Sequence, residues 1–219
     1  MIPRTDLKTA YKVTKRLYKK PENVHFVLLL LYSTAGSILQ NMYYRIVYSE
    51  GGLQEEEISD YFSSLPSRPL DSVGREVYNQ FPERQQSIIK ASKNNGNWIE
   101  QDNPYSWLTR RYRDAHDIWH TLSGYKPDLV GEMCLAAFSY AQTKIFGWVL
   151  LAGAVFFHRG AKPSDIRLLV EAYIVGKRSK YLLAENYDTL LSENLTDARN
   201  RLNIRTPRYY QAFLRAIEK

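Results

Sequence analysis

A single cysteine, Cys134, occurs in 219 residues. That excludes an intramolecular disulfide and any cysteine-rich zinc module, and it fits a reducing compartment. Long apolar runs are also missing. The longest apolar stretches, residues 24–39 (uncharged with His25 neutral) and residues 145–157, fall short of the roughly twenty residues a spanning helix needs. Both are expected to be core helices, or surfaces that touch lipid without crossing it. Residues 1–20 carry Lys8, Lys12, Lys15, Arg16, Lys19 and Lys20 without an apolar run, so a cleaved signal peptide is not expected there. Alternating β-branched runs are few, and there is no internal repeat or low-complexity tract.

What is present is the material of a folded domain. Hydrophobic residues make up 44% of the chain, aromatics 13% and charged residues 24%, a balance that excludes disorder of the whole chain. Thirty Lys and Arg against 23 acidic residues give a net charge of +7. This leaves an anionic partner open, although such an excess is commonly a solvated surface. Apolar residues recur at helical spacing throughout, so the expectation is an all-α fold, one helical domain over residues 1–219.

Residues 6–20 read as a basic amphipathic helix with Leu7, Ala10, Tyr11, Thr14, Leu17 and Tyr18 on one side. Residues 24–48 read as a long buried helix, or two meeting near Gly36, and residues 53–62 as a short acidic helix. A loop is expected over residues 63–70, then a helix capped by Asp71 or Ser72. A turn-rich connection follows at residues 93–97. The capping side chains and proline of Asp102-Asn103-Pro104 open a helix that Ser123-Gly124 ends. Pro127-Asp128 opens the next, expected to continue to about His158. Ser164 is the expected cap of a helix over residues 165–181, and a last helix is expected over residues 206–217.

The segment richest in chemistry is His116-Asp117-Ile118-Trp119-His120, followed after eleven residues by Glu132. On a helix His116 and His120 lie one turn apart on one face, and Asp117 at its edge, so one ion is within their common reach. Twelve residues of continuous helix would carry Glu132 about 18 Å away. The break at residues 123–128 removes that obstacle by folding the next helix back. The expected site therefore lies between two antiparallel helices over residues 104–158. Two neutral imidazoles and two carboxylates balance a divalent cation and suit zinc, iron, cobalt or manganese better than calcium. The plainer alternative is that Asp117 pairs with Arg113, four residues earlier, and that the histidines satisfy backbone carbonyls.

Along the second helix Glu132, Ala136, Ser139, Thr143, Phe146 and Leu150 line up within about 40° of one another at 100° per residue. Small side chains beside the ligands would leave room for a substrate, and the stripe turns apolar further on, as a lipid tail would require. Lys144 lies about 120° from this face. Tyr112, on the face of His116, is a candidate catalytic group.

The segment Tyr105-Ser106-Trp107-Leu108-Thr109-Arg110-Arg111-Tyr112-Arg113-Asp114-Ala115-His116-Asp117-Ile118-Trp119-His120, with Gly131-Glu132, Phe138 through Gln142 and Gly147, resembles the signature of the coenzyme Q biosynthesis protein 4 family. The family hallmark, His-Asp-x-x-His, eleven residues, then Glu, is matched at all four positions. Weaker similarity includes Ser72-Val73-Gly74-Arg75, Asn186-Tyr187-Asp188 and Arg199 with Leu202 and Ile204, so that residues from about 65 to 205 are covered. The resemblance implies His116, Asp117, His120 and Glu132 as metal ligands, with zinc foremost and iron, cobalt, manganese or magnesium as alternatives. It implies ubiquinone-type quinone biosynthesis. In that role the protein is either an enzyme replacing the ring carboxylate of a prenylated hydroxybenzoate by hydroxyl or a lipid-binding scaffold for other quinone-biosynthesis proteins. It also implies peripheral attachment to a membrane surface, on the cytoplasmic face in a bacterium or the matrix side of the mitochondrial inner membrane in a eukaryote. A homodimer is a further expectation.

Two readings rank below these. A metal-dependent phosphohydrolase would need an upstream His and a downstream Asp in recognisable context, which His25 and Asp165 lack. Nucleic-acid binding is not expected, because the interleaved aromatic and basic residues 107–112 share their helix with the ligands.

Overall fold

The computed structural model describes residues 7–19, 30, 34, 38, 46, 56–81 and 104–218. Among them the chain is helical, with one isolated bridge, Ser72 to Asn194, and no strand. In chain order the elements are α1 (Leu7–Lys19), a 3₁₀ helix (Ile58–Ser67), α2 (Val73–Gln80), α3 (Pro104–Ser123), α4 (Leu129–Thr143), α5 (Gly147–His158), α6 (Pro163–Arg178), a 3₁₀ turn (Leu182–Ala184), α7 (Tyr187–Ser192), α8 (Leu195–Arg201) and α9 (Arg208–Ile217). Leu30, Thr34, Ile38 and Ile46 are helical. The rest of the expected helix over residues 24–48, the turn at residues 93–97 and the caps Asp102 and Asn103 lie outside the described residues.

Helix α4 is central. It is buried on most of its circumference, including Met133, Cys134, Leu135, Phe138 and Gln142, as expected of a helix packed on several sides. It packs against α5, α6 and, through its first turns, α3, while α1 covers α5. The α4–α6 contact is close because Gly176 has no side chain: a Cβ there would stand 2.6 Å from the Phe138 carbonyl oxygen. The buried Gln142 amide adds a polar tie, its Nε2 donating to the Gly176 carbonyl and its Oε1 accepting from the Leu182 N–H. Arg111 is wholly buried, donating to the carbonyls of Leu183 and Glu185 and lying over the Trp107 and Tyr187 rings.

The structure departs from the sequence reading in four places. The 3₁₀ helix runs on through Ser67, across the expected loop and through Pro66, with the hydroxyls of Ser64 and Ser67 bonding to carbonyls one turn back. The apolar run after Asp128 is two helices, because Lys144 adopts a left-handed φ of 61° that ends α4. Thr143 stabilises that break, its hydroxyl donating to the Ser139 carbonyl and accepting from the Ile145 N–H. Pro163, not Ser164, opens α6 at its first position, and α6 ends at Arg178. Finally, α1 buries Ala10 and Val13, whereas Leu7, Tyr11 and Tyr18 stand exposed. Its outer surface thus carries an apolar stripe beside Lys8, Lys12, Lys15, Arg16 and Lys19.

Candidate metal centre

The turn between α3 and α4 places the site. Gly124, with φ 78°, closes α3 by a bond from its N–H to the His120 carbonyl, a backbone that favours glycine. Asp128 caps α4, its Oδ1 accepting from the N–H groups of Val130 and Gly131. Two distant side chains hold this turn. The Arg199 guanidinium donates to the Thr121 and Leu122 carbonyls, satisfying acceptors that a helix C-terminus leaves open. The Tyr210 hydroxyl accepts from the Lys126 N–H and donates to the Asp128 carboxylate. At Gly131 the chain passes so close to itself that a Cβ would collide with the Lys126 carbonyl oxygen.

This turn brings Glu132 to the histidine pair. His116 Nε2 is 3.2 Å from Glu132 Oε2, His120 Nε2 is 3.2 Å from His116 Nε2, and His120 Nε2 is 3.4 Å from Glu132 Oε1. One donor atom from each residue lies within 4.8 Å of the others. Four-coordinate zinc with bonds of about 2.0–2.2 Å sets its ligands roughly 3.3–3.6 Å apart, so the spacing fits an ion of that size. The tautomer fits as well. His120, fully buried, donates from Nδ1 to the Tyr125 carbonyl at 2.7 Å, which leaves the Nε2 of the neutral ring a bare lone pair facing the cluster. Without an ion, burial alone would raise the Glu132 carboxyl, but attraction to the protonated rings of His120 and His116 and hydrogen bonds from them outweigh it and hold the group well below the usual carboxylate range.

Of the four expected ligands the structure gathers three. Asp117 is buried but stands outside the cluster of His116, His120 and Glu132, because the next helical position is turned about 100° from His116. The salt-bridge alternative takes another form, since Arg113 pairs with its neighbour Asp114. Tyr112 is buried one turn before His116, its ring edge-on to Trp148 at 6.4 Å between centroids.

The expected substrate stripe divides at the helix break. Ala136, Ser139 and Thr143 are buried on α4, whereas Leu150 is partly buried and Phe146 exposed beyond Lys144. An apolar cleft of about 270 Å³ opens on the adjoining faces of α4, α5 and α6, lined by Ala137, Tyr140, Val149, Gly153, Phe156 and Tyr173 among others. Lys144 sits over the Tyr140 and Tyr173 rings, at 5.5 and 5.3 Å, and donates to the Ala141 carbonyl, so it belongs to the rim of this cleft. Sequence reasoning missed Arg199, Tyr210 and Trp148. Arg199 was legible only as part of the family pattern, and nothing local ties Trp148 to His116, whose rings are parallel within 3° at 6.2 Å.

Comparison with known proteins gives a concordant result. The family described as "Coenzyme Q (ubiquinone) biosynthesis protein Coq4" matches residues 9–208, extending the similarity beyond residues 65–205 into the N-terminal segment. A mitochondrial ubiquinone biosynthesis protein coq4 of Aspergillus niger is 27% identical over 65% of this chain and 49% of its own length. The corresponding protein of Talaromyces stipitatus is 28% identical over 65% of this chain and 50% of its own. The chain thus matches about half the length of these curated relatives. A crystal structure from Nostoc punctiforme shares the fold, with a TM-score of 0.62 at 18% identity over 92% of this chain and 99% of that one. Among the described residues no helix is long and apolar enough to cross a membrane.

Proposed function

Because the chain belongs to the Coq4 family of coenzyme Q (ubiquinone) biosynthesis proteins, we propose that it is metal-dependent, binds a prenylated hydroxybenzoate and replaces the ring carboxylate by hydroxyl. The observation that carries this reading is the convergence of His116 Nε2, His120 Nε2 and a Glu132 oxygen, with the His120 tautomer fixed by the Tyr125 carbonyl. A bound divalent ion supplies Lewis acidity toward a ring carboxylate or phenolate. Zinc suits the two imidazoles and carboxylate best, with iron, cobalt and manganese close behind and magnesium less suited. The protein's own groups do the rest. His116 and His120 fix the donor geometry, ionised Glu132 offsets part of the cation's charge, and Tyr112 is the candidate proton carrier beside them. Asp117 is the expected fourth ligand and would have to swing toward His116 to serve. Exchange of carboxylate for hydroxyl releases carbon dioxide, takes an oxygen atom from water and removes two electrons from the ring, so the reaction also needs an electron acceptor such as dioxygen, which would leave as hydrogen peroxide.

The prenyl tail gives the apolar features a role. The cleft between α4, α5 and α6 is lined by apolar side chains and could hold several isoprenoid carbons. On α1 the exposed Leu7, Tyr11 and Tyr18 flank five basic residues. That is the composition of a helix lying at an anionic bilayer, where each basic residue contributes about 1 kcal/mol near the surface.

The test is turnover. Metal-loaded protein given prenylated 4-hydroxybenzoate in detergent under air is expected to release carbon dioxide and yield the hydroxylated ring, read by mass spectrometry. Chelation is expected to stop turnover while the far-ultraviolet helical signal persists. Binding of the prenylated ring with no turnover, or unfolding on chelation, selects the alternative of a lipid-binding scaffold that organises other quinone-biosynthesis enzymes.

Gly153 offers a separate test of the cleft, since a Cβ built there meets nothing within 4 Å. Gly153→Phe should fill the cleft without disturbing the backbone. The expected result is at least tenfold weaker binding of the prenylated ring, with binding of unprenylated 4-hydroxybenzoate and metal content unchanged. Equal loss for both ligands would remove the cleft from the tail's path.

A further inference from the structure

Trp148 stands at the first turn of α5, 97% buried, with its indole parallel to the His116 imidazole and edge-on to Tyr112. Its ring completes a chain of aromatic contacts, because His116 in turn meets His120 edge-on at 4.8 Å. The described tryptophans differ in one respect. Trp107 donates its indole N–H to the Glu56 carbonyl, and Trp119 donates to the Tyr187 hydroxyl. The Trp148 N–H is buried and has no hydrogen-bond partner among the described residues.

A buried donor left unsatisfied costs about 1–3 kcal/mol, and a phenylalanine could stack on His116 without that cost. The indole N–H only donates, so whatever repays the cost must present an acceptor. A second buried polar group is also unpartnered. The Ser139 hydroxyl has no partner among the described residues either, and it lies on the Glu132 face of α4, about 10 Å along the helix.

We propose that the Trp148 indole N–H is the hydrogen-bond donor to an oxygen of the carboxylate- or phenolate-bearing ligand that the His116–His120–Glu132 centre holds. This inference rests on the metal-dependent reading above and names a contact that selects an oxygen-bearing aromatic ligand. Trp148 contributes stacking to His116 at all times, and its N–H is satisfied only when that ligand is present.

The full chain loaded with cobalt(II) tests it, with 4-hydroxybenzoate as the probe and the visible cobalt bands as the readout. Trp148→Phe should take up cobalt to the same stoichiometry with the same bands, since Trp148 gives no atom to the ion. The probe should shift the bands of the parent, and its dissociation constant should rise about tenfold or more in the variant, the loss of one hydrogen bond to a charged acceptor. In ¹⁵N-labelled zinc-loaded parent the Trp148 indole N–H resonance should move downfield as the probe saturates, a result that does not depend on the variant folding. An unmoved indole resonance overturns the inference whatever the affinities, as a water or nothing at the N–H would then suffice. An unchanged dissociation constant in folded Trp148→Phe overturns it, as does a cobalt-loaded parent that ignores the probe. A parent that takes up no cobalt overturns the metal-dependent reading itself, and this inference with it.

Discussion

His120→Ala is expected to abolish metal retention: parent protein holds about one equivalent of transition metal after dialysis, and the variant holds none. His120 is the member of the cluster that combines an Nε2 facing the other two side chains with a structural Nδ1–H. Its loss also removes the hydrogen bond to the Tyr125 carbonyl and the ring contact with Phe81. The leftover buried acceptor and cavity cost roughly 2–4 kcal/mol in the metal-free state. His116→Ala removes a partly buried member of the cluster that, among the described residues, bonds only to the side chains of Glu132 and His120, so it should lose metal with a smaller effect on the apo protein. In the parent, metal at a hundredfold excess over its dissociation constant adds about 2.7 kcal/mol, or roughly 5–10 °C in Tm for a chain of this size. Elemental analysis beside thermal denaturation, with and without zinc, reads both effects. A His120→Ala protein that keeps its metal and its zinc-dependent Tm shift would remove the site.

Gly131→Ala is expected to unfold the site from the backbone side. Helix propensity alone would make the change favourable by about 1 kcal/mol. The local geometry reverses the sign, because the new Cβ would collide with the Lys126 carbonyl oxygen and lie 2.9 Å from its carbonyl carbon and nitrogen. These are backbone atoms of the turn that also supplies the Tyr125 carbonyl to His120. They cannot swing aside without moving that acceptor or tilting Glu132 away. A net loss of at least about 3 kcal/mol is expected, together with loss of metal. Gly153→Ala is the control: with no atom within 4 Å of its Cβ, it should follow propensity and stabilise by about 0.5–1 kcal/mol. Chemical denaturation of the two variants checks the pair. Equal and favourable changes would show that the α3–α4 turn does not depend on a bare Cα at Gly131.

Much of the site was legible because it obeys short-range rules. A His pair four residues apart shares a helix face whatever surrounds it. Ser123-Gly124 and Pro127-Asp128 mark a helix stop and start in any context, so the return of Glu132 toward the pair followed from local chemistry. The caps at Ser72 and Asp128 were readable for the same reason. The short helices α7 and α8 were not read, although Asn186 and Asn194 cap them through their side chains. Their six and seven residues are too few for hydrophobic periodicity to register, and they gain stability from packing more than from propensity.

Other misreadings share one cause, that spacing along a helix says nothing about what packs against it. On α1 the apolar side chains were grouped on one side, but contact with α5 buries Ala10 and Val13 and leaves Leu7, Tyr11 and Tyr18 outside. The stripe from Ala136 to Leu150 assumed unbroken helical phase, which the left-handed turn at Lys144 resets. Asp117 is a separate case: it matches the family hallmark and is buried, and it stands outside the group formed by His116, His120 and Glu132.

The sequence by itself determined that the chain is helical, that His116, His120 and Glu132 could meet, and which family it resembles, because helical periodicity, helix stop signals and a long motif are all written in neighbouring residues. Only the tertiary structure decided which donors converge, which tautomer His120 adopts, where the apolar cleft opens and which indole N–H is left without a partner. Those depend on atoms brought together from distant positions, Tyr210 and Arg199 on the α3–α4 turn and Trp148 on His116, and one-dimensional spacing cannot encode contacts between separate elements.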